Sequence, residues 1–195
     1  MHGLINTAIQ CFVRDTYGAA TWAAVMRKTR LGIESFEAML GYDPAVTDRV
    51  VAAAALVLRR PAGMVLEDLG TFLVCSPATQ ALRRLLRFGG VGFVDFLHSL
   101  DDLPDRARLA LPQFHLPLME LTEHDAQRYS LRCRTPVGGG GHIMLGLLRA
   151  MADDYGALAT FEIRPGAGGE DVIAIHLAEE GFAEGRRFDL AAAVA

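Results

Sequence analysis

The stretch VDFLHSLDDLPDRARLALPQF, residues 94–114, has the pattern of an amphipathic helix with a proline set inside it. Val94, Leu97, Leu100 and Leu103 recur at three-residue spacing, and Phe96 widens the apolar stripe. Pro104 falls where that pattern runs on, on the side that should be buried. A proline in a helix interior costs roughly 3 kcal/mol or more, because it removes a backbone donor and its ring meets the preceding turn. The proline therefore predicts a kink in the helix and a hydrocarbon surface at a buried place.

Upstream the chain is helical. Leu4, Ile5, Ala8, Ile9, Phe12 and Val13 share a helical period that Gly18 closes, and ATWAAVMRKTRLG forms a second helix. Asp43 before Pro44 has the cap-then-proline pattern and opens an Ala- and Val-rich helix that Pro61 stops. GMVLEDLGTFLVC is another helix, and Ser76-Pro77 repeats the capping device before ATQALRRLLRFGG. Downstream of Pro112 the period drops to two. LPLMEL and RYSLRCRT pair as a hairpin, GHIMLGLLRAMADDYG returns to helix, and LATFEIRPG and DVIAIHLAEE add two strands. The fold class is α+β: a helical N-terminal part packed on an antiparallel sheet with one crossing helix. It reads as a single domain over 1–190, with an N-terminal helical part to 62, helices plus sheet over 63–190, and a tail at 191–195.

The 195 residues suffice for one domain with a substantial core. No apolar run reaches the roughly 18 residues of a membrane span, and the N-terminus lacks the basic start and cleavage site of a signal peptide. The default is a cytoplasmic protein without a membrane partner. A net charge of −4 with no basic block argues against nucleic acid. Cys11, Cys75 and Cys133 are far apart and odd in number, forming neither a disulfide framework nor a zinc knuckle.

Few residues offer chemistry. Gly138–Gly141 precede a helix, but without the lysine or the spacing of a phosphate loop they read as a flexible link. No two of the six histidines have the helical spacing of a zinc site. His142 stands out because it opens an apolar helix, whose positive end favours the neutral imidazole that can bind a metal. The acidic pairs Asp101-Asp102 and Asp153-Asp154 read as solvated helix faces. Nothing assembles a nucleophile with a base, so an enzyme is not expected.

Taken together, INTAIQCFVRDTYGAATW, GYDPAVTDRVVAAAALVL, LEDLGTFLV, FLHSLDDLPDRARLALPQFHLP and IMLGLLRAMADDYG resemble, in order, the H-NOX family. These haem nitric oxide/oxygen binding domains, also called HNOB, are the sensory domain type of soluble guanylate cyclase and of bacterial relatives. The resemblance implies a sensor domain holding haem b between helices and sheet, with an axial histidine in an L-x-x-L-H pattern. Here LDDLP places Pro104 at that histidine. The family's Y-x-S-x-R, which clamps the haem propionates, falls on Cys133, Thr135 and Val137. Pro117 matches the family proline that packs on the haem.

With iron ligand and clamp both replaced, the resemblance implies a haem-free sensory or ligand-binding module with no metal and no cofactor. Its pocket would be lined by Ile5, Ile9, Leu73, Pro104, Pro117, Cys133, Thr135, Val137, His142 and Ile143, and would suit a hydrophobic small molecule. A separate signalling partner, such as a histidine kinase or a diguanylate cyclase, is implied. The alternative is a haem-binding NO/O2 sensor with His142 as unconventional iron ligand and Cys133 as a weaker candidate.

Overall fold

The computed structural model describes residues 3–110, 117–135 and 138–188, with the backbone alone at 107–110. Val137, Pro112 and the tail at 191–195, all named above, lie outside the described residues.

Four helices build the N-terminal half. Helix α1 (Gly3–Tyr17) buries Ile9, Phe12 and Val13 and ends at Gly18, whose φ of 90° is a backbone state that glycine adopts without strain. Helix α2 (Ala19–Thr29) follows directly. The next segment stays irregular and is held by Phe36, which is buried between the rings of Trp22 and Tyr42. Helix α3 (Pro44–Leu58) starts as its sequence directs, with the Asp43 carboxylate accepting from the amide of Ala45 and proline in the first turn. Replacing Asp43 with Ala should cost about 1 kcal/mol of stability, the usual value of such a cap, as a lowered urea midpoint with unchanged slope. Helix α4 (Ala62–Cys75) is followed by a 3-10 turn capped by Ser76, then α5 (Gln80–Arg87).

The stretch that opened the sequence reading departs from expectation. It is two helices, α6 (Phe93–His98) and α7 (Leu103–Ala110), separated by a turn at 99–102. Pro104 is therefore in the first turn of α7 and not in a helix interior. The amide of Arg106 donates to the carbonyl of Asp102. Residue 104 thus lies among the opening positions whose N–H groups have no partner within a helix, and a proline there gives up nothing. The expected kink is a clean break, and Leu97, Leu100 and Leu103 stay buried on both sides of it.

The sheet runs β1 (Leu118–Asp125), β2 (Arg128–Arg134), β3 (Leu158–Pro165) and β4 (Asp171–Glu179), all antiparallel in the order β1-β2-β4-β3. β1 continues through Asp125, so the loop between the first two strands is shorter than its polar sequence suggested. Alternation puts Tyr129, Leu131 and Cys133 of β2 on the inner face with Ile173, Ile175 and Leu177 of β4, while Arg132 and Arg134 face outward. Helix α8 (Gly140–Tyr155) packs on that inner face through Leu145, Leu148 and Met151.

Two apolar cores result. One lies among α1–α4, and the other among α5, α6, α8 and the sheet. Helices α4 and α8 form the wall between them. They approach backbone to backbone, since a Cβ at Gly70 would lie 2.1 Å from the Ile143 carbonyl and one at Gly146 1.9 Å from the Glu67 carbonyl.

Candidate functional site

Pro104 is buried where α7 begins, beside Leu103, and its turn is held by Arg106, whose Nη2 donates to the Ser99 carbonyl at 3.0 Å. A prolyl ring there presents only carbon. Pro117, half-buried, leads into β1.

The other expected pocket residues divide between the two cores. Ile5, Ile9, Leu73 and Ile143 belong to the same core: Ile9 is buried and the other three pack, partly covered, against the α1–α4 cluster. Cys133 belongs to the second core, 1% exposed, with Met119 and Asp171 as its strand neighbours. Burial, reinforced by the Asp171 carboxylate, pushes its thiol up to about 12, so it is neutral at physiological pH. The thiol of an unfolded chain ionises near its ordinary value of 9.0. Cys133 therefore adds stability below that pH, and the contribution is lost as pH climbs towards about 12. At neutral pH, Cys133 should react with iodoacetamide roughly tenfold or more slowly than the half-buried Cys75, as read by peptide mass spectrometry.

Thr135 follows β2, and its side chain fills the space over Gly140. Asp171 occupies the start of α8: its Oδ2 accepts from the Gly141 amide at 3.1 Å, where a phosphate would otherwise sit. The glycines are thus explained by packing, because a Cβ at Gly140 or Gly141 would collide with Thr135 or Asp171.

His142 faces α4. Its Nδ1 lies 2.9 Å from Glu67 Oε1, and the imidazole lies over Gly63, where any Cβ would touch the ring. Glu67 also accepts from Arg149 at 2.7 Å. His142, Glu67 and Arg149 form a polar clasp across the α4–α8 wall, which sequence reading missed because Glu67 is 75 residues from His142.

Asp154 is a second departure. Its side chain is 0% exposed and is not on a solvated face; it accepts from Arg83 Nε at 2.9 Å, with Arg87 Nη1 at 3.8 Å. Asp101 is also engaged, accepting from the Leu121 amide at 2.8 Å.

The outer face of the sheet carries a shallow groove of about 460 Å³, lined by His124, Arg128, Ser130, Thr160, Glu162 and His176. His124 Nε2 lies 2.9 Å from Ser130 Oγ, and ion pairs Arg128–Asp125 and Arg164–Glu162 flank it. Among the described residues no three His, Cys, Asp or Glu side chains gather as a metal site. No helix of the described structure is long and apolar enough to cross a membrane.

Comparison with known proteins agrees with the resemblance. The family described as Haem-NO-binding, HNOB, matches residues 2–163. Soluble guanylate cyclase gcy-31 of Caenorhabditis elegans is 22% identical over 154 residues, 79% of this chain and 22% of that protein. Soluble guanylate cyclase 89Db of Drosophila melanogaster is 22% identical over 155 residues, 80% of this chain and 23% of that protein. The chain thus spans less than a quarter of the length of these relatives. Among solved structures, the Fe(II) unliganded H-NOX protein from K. algicida superposes with a TM-score of 0.78 at 17% identity, covering 92% of this chain and 98% of that one. The H-NOX protein from S. oneidensis in the Fe(II)NO state gives 0.75 at 17% identity, covering 92% of this chain and 100% of that one. At such identities the likeness establishes the fold.

Proposed function

The chain belongs to the haem-NO-binding, or H-NOX, family, and we propose that it is a sensory domain of that family which has given up conventional haem ligation and acts through a separate partner protein. The observation that carries the reading is Pro104, buried in the first turn of α7 at the position where the L-x-x-L-H pattern has its histidine.

The residues present do not fit the group. Pro104 has no donor atom for iron. Cys133 is a neutral, enclosed thiol. Cys133 and Thr135 stand at two of the three propionate-clamp positions, and neither provides a cation. His142 is turned towards Glu67 on the α4–α8 wall. Ile5, Ile9, Leu73 and Ile143 pack in the apolar core of α1–α4, and a space opened among them would suit a hydrophobic small molecule better than a dianionic one. The proposal extends to a cytoplasmic, non-catalytic domain over 1–190 whose partner is a histidine kinase, a diguanylate cyclase or a similar signalling enzyme.

A visible absorption spectrum tests this, taken on the purified protein and again after incubation with haemin and desalting. The expected result is a protein without a Soret band in either case. A band that survives desalting and shifts on reduction and addition of CO would overturn the proposal. If His142→Ala then removed the band, His142 would be the ligand.

A further inference from the structure

The two edges of the sheet are finished differently. At β1, the Asp101 carboxylate accepts from the Leu121 amide, and the inward Met119 is buried. At β3, among the described residues, no loop or side chain bonds to the backbone edge of 159–164. The inner row of that strand is also only partly covered. Ala159, Phe161 and Ile163 remain half-exposed, whereas their partners on β4, Leu177, Ile175 and Ile173, are buried. The strand has no lysine and no inward charge; its outward Glu162 and Arg164, the register shift at Leu158/Ala159 and the proline at its last position leave the backbone edge of 160–164 uncovered among the described residues.

The pairing of β3 with β4 fixes which groups face outward. The Gly166 amide donates to the Glu170 carbonyl, in step with the strand register, so the even-numbered residues of β3 bond to β4. The N–H and C=O of Phe161 and Ile163 then point away from the sheet.

Glu162 and Arg164 pair with each other along the strand at 2.7 Å, and as exposed side chains they can re-pair with the same charges of a second copy in one register. When two copies of β3 run antiparallel about a two-fold axis at Ile163, Glu162 of each lies opposite Arg164 of the other. The axis also places Ile163 on Ile163 and Phe161 opposite Pro165 on the inner face. Moving the axis by one residue either way sets Glu162 against Glu162, or Arg164 against Arg164, which is unfavourable. The missing N–H of Pro165 falls at the end of the paired segment, where it removes one bond per strand.

We propose that two copies of this chain associate through β3, antiparallel about Ile163, to form a continuous eight-stranded sheet. The two Ile163 residues exchange two backbone bonds, and each Phe161 amide donates to the Pro165 carbonyl of the second copy. The half-exposed apolar row gains a neighbour on the inner face, and the two Glu162–Arg164 pairs select the register.

Sedimentation equilibrium of the full chain over a wide concentration range tests this, with hydrogen exchange at the Phe161 and Ile163 amides. The expected result is a concentration-dependent dimer in which those two amides become protected as the dimer forms. Glu162→Arg sets like charges opposite each other and should weaken the dimer about tenfold at low salt. The double variant E162R/R164E restores opposite charges in the same register and should recover it. Both side chains are exposed, so the fold tolerates the changes. A chain that stays monomeric throughout overturns the proposal. So does a dimer that is indifferent to E162R, or one that E162R/R164E does not restore.

Discussion

Pro104→His alone will not make this protein hold haem through a desalting column. The substitution supplies the axial donor, and the first turn of a helix accepts histidine, so the variant should fold. Haem also carries two propionates, which at a partly buried site need cationic or hydroxyl partners. Each charge-assisted hydrogen bond contributes roughly 1.5–3 kcal/mol, and leaving a carboxylate without one costs a comparable amount. At the clamp positions the chain offers Cys133, enclosed and neutral, and Thr135, whose side chain is packed over Gly140. Arg132 and Arg134 point to the opposite face and are engaged with Glu120 and Glu170. Turning them inward would require a one-residue slip of β2, which would carry Leu131 and Cys133 into solvent. A stable five-coordinate ferrous spectrum from the single variant would refute this account. The expected spectrum is that of weakly held, exchangeable haem, lost on gel filtration.

The second large effect is expected in the wall between the cores. Gly146→Ala should destabilise the fold by about 3 kcal/mol, at the upper end of what overpacking usually costs. An alanine is favoured over glycine inside a helix by about 1 kcal/mol, so propensity alone predicts the opposite sign. Geometry decides, because the new Cβ would lie 1.9 Å from the carbonyl oxygen of Glu67 and 2.7 Å from its carbon. Both are backbone atoms of α4, so no rotamer change relieves them and the helices must move apart. That motion loosens Leu66 and Leu69 on one side and Leu145 and Leu148 on the other, and strains the Glu67 clasp with His142 and Arg149. Gly138→Ala is the control: its nearest atom beyond its neighbours is Asp48 Oδ1 at 3.7 Å, and the change should move stability by under about 0.5 kcal/mol. Urea denaturation measures both. An unmoved midpoint for Gly146→Ala would mean that the close approach of α4 to α8 is not needed.

Much of the fold was legible in local signals. Asp43-Pro44 and Ser76-Pro77 start their helices because a short polar acceptor and a proline suit the unpaired opening amides. Gly18 ends its helix with a positive φ that glycine adopts without strain, and Gly156 ends its own in the left-handed conformation that closes the last turn. Period two marks all four strands and sorts Cys133 from Arg132 and Arg134. These signals, with the family resemblance, identified an H-NOX domain and singled out Pro104.

What the sequence could not determine depends on partners distant along the chain. A three-residue apolar spacing runs through 94–103 whether the helix is continuous or broken, so only the packed core shows α6 and α7 as two helices with Pro104 opening the second. An Asp-Asp pair reads as solvated until folding brings Arg83, 71 residues away, onto Asp154. A histidine at a helix start reads as open until Glu67 comes against it from α4. The sequence by itself determined most of the elements and their apolar faces, because capping, backbone conformation and periodicity are settled within a few residues. Tertiary structure alone decided which charged groups are paired, which glycines are contacts and which strand edge is uncovered among the described residues, because those depend on which surfaces meet.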